Sequence, residues 1–324
     1  MSISWGEWRG PTTGAVAQSH KTVYFIASDL KNGGVSAVVE GLQAASRSLK
    51  WSLKVLDGEG NANLVKTHFI EALRAKADGI VLGGVEASQY SDEIAAAHKK
   101  NLKLIGWHAS PQPGSSKNLI ANITTDPALV AKMAAELVPD RGSKKAGVVI
   151  ITDRNFSIAA AKVSYMKTIV EKVKAQKVLS IEYVDISKAD QVIPLLVEDL
   201  NRRFGKRWTH TLAINDIYFD HMNYPLKKIK RTDVVNIAAG DGSRIAINRI
   251  KSGLSQQIAT IAEPLHCQGW QIADELNRAF HGDPQSGFVN EPIVVTKAFL
   301  DSLKSNDVEA NISFQDAYMK IWYP

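Results

Sequence analysis

The sequence predicts an α/β protein made of two similar halves, each an open sheet of largely parallel strands flanked by helices. Three observations predict it. From residue 22 onward, short apolar segments alternate with amphipathic stretches of helical period, the pattern of right-handed βαβ units. The alternation restarts after residues 120–124. A chain of 324 residues also exceeds one ordinary core and suits two.

Taken in order, Thr22–Ala27 (TVYFIA) reads as a buried strand, closed by the polar turn from Ser28 to Gly34. A helix over about 35–49 follows, with Val38, Leu42 and Ala45 on one face. The strand 52–56 ends at Asp57-Gly58, a helix covers about 64–77, and the strand 79–82 ends in Gly83-Gly84. The helix 91–100 and the strand 103–106 complete the first run. After 120–124 come the helix 127–137, the strand 146–151, the helix 158–174, the strand 178–184 and the helix 189–204. Three further strands, 211–214, 234–239 and 258–262, end in Asn215-Asp216, Gly240-Asp241-Gly242 and Glu263-Pro264.

Composition narrows the function classes. Apolar residues make up 45% and charged residues 22%, ordinary globular values that exclude a disordered or collagen-like chain. No apolar run approaches the roughly 20 residues that cross a bilayer. The net charge of +6 comes from 39 basic residues interspersed with 33 acids. The densest basic runs, 202–207 and 227–231, lack the aromatic ladder that stacks bases, so no nucleic-acid partner is expected. The single cysteine, Cys267, makes neither an internal disulfide nor a thiolate metal site and reads as a small buried residue. The start of the chain shows no basic stretch followed by an apolar one. The protein is therefore either cytosolic or an exported protein whose signal is not part of this sequence.

In open α/β sheets ligands bind beyond the carboxyl ends of the strands. The residues expected there are Ser28-Asp29, Asp57, Gly83-Gly84, Trp107-His108, Asp153-Arg154-Asn155, Asn215-Asp216, Asp241 and Glu263. Carboxylates, amides and guanidinium groups bond adjacent hydroxyls two at a time, and aromatic faces such as Trp107 and Phe156 cover the apolar side of a sugar ring. The set suits a small polyhydroxylated ligand. Each member also has a plainer reading: Asp and Asn after a strand cap helices and form turns, Arg154 pairs with Asp153, His108 is a satisfied loop residue, and Trp107 is core.

Catalytic motifs are missing. Gly240-Asp241-Gly242-Ser243-Arg244-Ile245 lacks the third glycine of a dinucleotide fingerprint, and Asp241 would repel a pyrophosphate. There is no HExxH, GxSxG, CxxC or P-loop, and no lysine in a Schiff-base setting. No cofactor or metal is expected. Asp241 and Glu263 leave a carboxylate pair of the glycosidase kind as the enzymatic alternative, beside a dehydrogenase.

The order of elements resembles the periplasmic sugar-binding proteins of bacterial ABC importers, of the ribose, galactose and xylose type. The segments that carry the resemblance are VYFIASDLKNGGVSAVVEGLQAAS, KVLDGEGNANLVKTHFIEALRAKADGIVLGG, AINDIYFDHM, NIAAGDGS and IATIAEP. The resemblance implies the type I fold, two Rossmann-like lobes joined by a three-strand hinge, with a sugar in the interlobe cleft. It implies a first lobe of 22–125 plus 263–290 and a second of 126–262 plus 291–324, which leaves 1–21 as an N-terminal arm. It implies a monomer that works in the periplasm, closes on its ligand, does no chemistry and hands the ligand to a membrane permease.

Residue by residue, the resemblance places Asn215 on the Asn of an "ND" pair, Asp241 on the Asp of an "FDG" turn, and Glu263 on a sugar-contacting hinge position. His108 falls where ribose binders carry Asp before Arg. Asp29 and Asn32 lie in the first polar loop, and Arg154, Asn155 and Phe156 in a loop resembling the "TDNN" of xylose binders. The stacking phenylalanines of ribose binders are replaced by Gly34 and Val35, and the Asp-Arg pair by Trp107-His108-Ala109. Trp107 or Phe156 is then the expected apolar face, unless the ligand is a smaller polyol. The segment Trp5-Gly6-Glu7-Trp8 lies outside the pattern and is expected to be a surface arm held by tryptophan packing. A sugar-responsive repressor shares the fold but needs an N-terminal helix-turn-helix domain, and about 20 residues before the first strand do not hold one.

Overall fold

The computed structural model describes residues 7–139, 145–303, 305 and 307–324. Chain order is β1 (Thr22–Ala27), α1 (Gly33–Ser48), β2 (Ser52–Asp57), α2 (Ala62–Arg74), β3 (Gly79–Gly83), α3 (Ser91–Lys99), β4 (Lys103–Trp107) and β5 (Ala121–Ile123). There follow α4 (Pro127–Glu136), β6 (Ala146–Thr152), α5 (Ser157–Lys172), β7 (Gln176–Tyr183), α6 (Ala189–Phe204), β8 (His210–Ala213), α7 (Ile217–Lys228) and β9 (Val235–Ala238). The chain ends with α8 (Arg244–Ser252), β10 (Gln257–Ala262), α9 (Leu265–His281), β11 (Ile293–Thr296), α10 (Lys297–Ser302) and α11 (Phe314–Trp322). No helix among the described residues is long and apolar enough to cross a membrane.

The chain divides into two compact units. The first contains the described residues from Glu7 to Asp126, Pro264–Glu291 and Asp307–Pro324; the second contains the described residues of Pro127–Glu263 and of the segment beginning at Pro292.

The first unit is built on the parallel sheet β2-β1-β3-β4-β5. Its inner strands are buried on both faces, as continuous apolar runs require when helices cover both sides. Asn32 starts α1 by accepting the Gly34 N–H at 3.0 Å, and Asn61 starts α2 by accepting those of Asn63 and Leu64. Helix α9 packs backbone to backbone on α1: a Cβ on Gly269 would stand 2.5 Å from the Leu42 nitrogen, so only glycine fits. The buried side chains of β1, α1, β4 and α9, with Phe25, Leu42, Trp107 and Trp270 among them, form one core.

The sequence reading sent all of 291–324 to the second lobe; the C-terminal helix instead packs within the first unit. Phe314, Tyr318, Ile321 and Trp322 form one apolar face of α11, and the Trp322 ring lies parallel to Trp270 of α9 at 5.3 Å. Its indole N–H donates to Asp274 at 2.9 Å. The chain therefore returns to the first unit once more than the three-strand reading implies. The N-terminal arm is held there too. Asn277 donates to the carbonyls of Ala15 and Val16 and accepts the Gln18 N–H at 2.8 Å, and Arg278 donates to the Thr13 carbonyl. Trp8 meets Tyr318 edge-on at 5.1 Å; Trp5 and Gly6 lie outside the described residues.

The second unit is built on the sheet β11-β10-β9-β8-β6-β7, parallel throughout except that β11 runs antiparallel to β10. Its core gathers Val148–Ile151 of β6, Met166 and Val170 of α5, Ile193 and Val197 of α6, and Tyr218 and Phe219 of α7. The sequence reading did not delimit α7, α8, α9, β11, α10 or α11, all of which lie beyond residue 215.

Candidate functional site

In each unit the loops after the strands gather at the carboxyl edge of the sheet. At the first edge, Asp29 follows β1 and is buried. Its Oδ1 accepts the Lys31 N–H at 2.8 Å, and its Oδ2 has no hydrogen-bond partner. Burial raises its pKa, with the charges of Asp57 and Glu59 adding to the effect and the Lys31 amide opposing it. Asn32, expected to face ligand, spends its Oδ1 on the Gly34 N–H as the cap of α1.

After β4, His108 adopts the left-handed backbone region at φ 50°, and its amide donates to the Ile123 carbonyl at 3.2 Å. Asn122 of β5 holds the loop that follows: its Oδ1 accepts the Ala109 N–H and its Nδ2 donates to the carbonyls of Ser110 and Gln112. The plainer reading of Trp107 describes its position. The indole is 1% exposed, donates to Gln268 at 2.8 Å and stacks on the His108 ring at 3.9 Å. With its N–H satisfied and its ring in the core, Trp107 supports His108. Glu86, three residues past β3, is buried and accepts the Ser88 hydroxyl at 2.9 Å. The sequence reading missed it by looking only at the first residues after each strand.

At the second edge the loop after β6 is tied down by Asp153, whose Oδ1 accepts the Asn155 N–H and whose Oδ2 accepts the Ile186 N–H, both at 2.8 Å. Burial raises the Asp153 pKa against these bonds. Arg154 is exposed and stacks on Tyr183 at 3.9 Å, and Asn155 donates to Asp185 at 3.3 Å. Phe156 is half-buried and packs on the core. The three residues of the TDNN-like loop thus have occupations within this unit.

The remaining second-edge residues are brought together. Asn215 donates to Asp241 Oδ2 at 2.6 Å, while its Oδ1 accepts the Ile217 N–H at 3.0 Å. The Asp241 carbonyl accepts the Glu263 N–H at 3.0 Å, so the turn after β9 is stitched to the end of β10. Gly242 lies at φ 85°, with its would-be Cβ 2.5 Å from Ala262 Cβ, which reserves that place for glycine.

Beneath this turn lies a group the sequence reading did not single out. Lys162 of α5 is 3% exposed. Its ammonium donates to the Ala239 carbonyl at 2.8 Å and lies 3.0 Å from where a Cβ on Gly240 would be. Among the described residues that carbonyl is its one hydrogen-bond acceptor. The signal was present, because Ile158, Lys162 and Met166 share one helical stripe and a lysine there is anomalous. Taken by itself, neither unit brings three His, Cys, Asp or Glu side chains of the described residues close enough to share a metal ion.

The Periplasmic binding protein domain model matches residues 23–284. The chain belongs to the periplasmic binding protein domain family. This periplasmic binding protein has the type I fold, two α/β lobes each with a largely parallel sheet. Among solved structures it is similar to a glucose-galactose binding protein from Geobacillus stearothermophilus, at 16% identity over 89% of this chain and 100% of that one, with a TM-score of 0.75. It is similar to a myo-inositol binding protein from Caulobacter solved with myo-inositol, at 17% identity over 89% and 97% of the two chains and a TM-score of 0.76. An ABC transporter solute-binding protein from Mycobacterium smegmatis with bound glycerol matches at 16% identity over 90% and 99%, with a TM-score of 0.77. At these identities the likeness is one of fold. No curated protein sequence matches the chain. Neither the family match nor these neighbours support the enzymatic alternative.

Proposed function

We propose that this protein is the solute-binding component of an ABC importer and that its ligand is a small sugar or polyol. The observation that carries the ligand class is the second edge, where a carboxylate, a primary amide and a buried ammonium (Asp241, Asn215 and Lys162) meet at one turn. A carboxylate accepts from one hydroxyl while an ammonium donates to its neighbour, the pairing that vicinal hydroxyls satisfy. At the first edge Asp29 offers a buried acceptor oxygen after β1, and His108 a ring after β4, with β3 between the two strands. Glu263 completes the ligand set. Asn32, Trp107, Arg154, Asn155 and Phe156 support the loops that carry it.

In this reading the ligand shifts the chain toward whichever form binds it more tightly, by its greater affinity for that form. A membrane permease receives that form, the protein works as a monomer in the periplasm, and nucleic acid has no part. The neighbours' ligands support the class: glucose or galactose, myo-inositol and glycerol are all polyhydroxylated.

The test is a thermal-shift screen of pentoses, hexoses, tetritols and inositols on protein unfolded and refolded to strip carried-over ligand. A ligand at 100 times its dissociation constant adds about 2.7 kcal/mol, so a hit raises the melting temperature by several degrees and Asp241→Ala removes the rise. A flat panel on refolded protein refutes the sugar reading, and turnover of any panel member restores the enzymatic one.

A further inference from the structure

The Asn215–Asp216 dipeptide after β8 sends both side chains to the turn that carries Asp241. Asn215 reaches Asp241 itself. Asp216, fully inside, accepts at Oδ2 from the amides of Gly242 (2.8 Å) and Ser243 (3.3 Å), and at Oδ1 from Gln257 Nε2 (2.7 Å). Gln257 cannot be turned round, because its Oε1 already accepts from Arg249 Nε and Nη2 at 2.8 and 2.7 Å. Arg249 is in turn fixed by Asp220 at 2.6 Å. Every hydrogen-bond partner of the Asp216 carboxylate is therefore a donor, and both its oxygens must accept. An amide, or a protonated carboxyl, sets a donor against a donor at one of the two positions.

We propose that Asp216 is a positioning residue for ligand binding: ionised, it holds the Gly240–Ser243 turn in the form that presents Asp241, and protonation loosens that turn and weakens binding. The inference rests on the proposed ligand role of Asp241.

The charged groups that face Asp216 are Asp241 from the turn and Arg249 from α8, the latter paired with Asp220 of α7, with neutral Gln257 from β10. Burial, with the Asp241 charge added, pushes its pKa up to about 6, against the lowering pull of the Gly242 amide, Gln257 and Arg249. Because that value lies above the unfolded one, protonation does not destabilise the fold through this group. Loosening of the turn is thereby separable from acid unfolding.

The experiment uses the whole chain, wild type and Asp216→Asn, with D-glucose, D-galactose, myo-inositol and glycerol as probes. Affinity is measured by calorimetry from pH 5 to 8, and amide exchange at Gly242 and Ser243 is measured without sugar, corrected for intrinsic rates. Wild-type affinity for the bound probe should fall about tenfold from pH 7 to pH 5, the loss expected when one group near 6 must stay charged. Asp216→Asn should bind about tenfold more weakly at pH 7, show no pH dependence over this range and exchange faster at both amides. A flat wild-type profile, or a variant that keeps the wild-type profile, overturns the proposal. If the variant does not fold, or if no probe binds and the sugar reading falls, wild-type exchange decides: faster exchange at both amides at pH 5 supports the role of Asp216, and unchanged protection overturns it.

Discussion

Asn215 and Asp241, 26 residues apart in the chain, meet at 2.6 Å through an amide N–H and a carboxylate oxygen. The same amide accepts the Ile217 N–H, so one side chain both starts α7 and orients the carboxylate proposed to bind ligand. Asn215→Ala removes both bonds. Loss of the helix-start bond costs about 1 kcal/mol, which should appear as a melting temperature lower by a few degrees. The ligand-induced shift should shrink as well, since Asp241 loses its orienting donor. An alanine variant with the wild-type shift would show that Asp241 holds its place without Asn215.

Lys162 separates stability from binding in the opposite sense. A buried ammonium carries a desolvation penalty of several kcal/mol, and one carbonyl at 2.8 Å compensates only part of it. Lys162→Met keeps the aliphatic stem and removes the charge. The unliganded variant should therefore melt at or above the wild-type temperature, while its ligand-induced shift is largely lost. Melting curves with and without the panel sugar check both halves. A variant that melts lower and shifts normally would make Lys162 a structural support for Ala239 instead.

Most strands were legible because each is an apolar run closed by a residue that cannot continue it. TVYFIA ends at Ser28-Asp29, where the observed strand ends, and GIVL is closed by Gly83-Gly84, with the observed strand one residue longer, to Gly83. The strand-end rule also placed Asp29, His108, Asn215 and Asp241 at the carboxyl edges of the sheets, since it needs only the fold class. It could not say what each side chain touches. An aromatic at a strand end reads equally as core or as ligand face, and only Gln268, 161 residues away, places the Trp107 indole in the core. Lys162 escaped because it projects from a helix. The spacing of Phe314, Tyr318, Ile321 and Trp322 shows an apolar face but not its partner, which is set by contacts with Trp270 that no local pattern contains.

That partnership gives a direct test of where the C-terminal helix belongs. Trp322 is 1% exposed, stacks on Trp270 and donates to Asp274, whose other oxygen accepts from Arg278 at 2.7 Å. Trp322→Ala opens a cavity and leaves a buried carboxylate oxygen short of a donor, a combined loss of about 3–5 kcal/mol. Chemical denaturation should show it, and amide exchange should rise in α9 and the N-terminal arm rather than in the sheet of β6 to β10. Faster exchange in the second sheet would contradict the grouping of α11 with α9.

Alkaline pH should loosen the start of α9. Glu309 accepts the backbone amides of His266 and Cys267 at 3.0 and 2.9 Å, and the His266 ring at 3.0 Å. The other ring nitrogen stands 3.3 Å from Glu40 on α1. The bond to Glu309 leads in pushing the His266 pKa up to about 9, with Glu40 adding to it and burial opposing it. Since the folded value lies above that of an unfolded histidine, near 6.5, the imidazolium stabilises the fold in full below about pH 6.5. That contribution is lost as pH rises through about 9. Wild-type stability should decline between pH 7 and 10, and His266→Gln, which keeps a donor but no charge, should be less stable at pH 6 and flatter across that range. Parallel slopes for the two proteins in denaturant melts at pH 6, 8 and 10 would mean that other groups carry the alkaline loss.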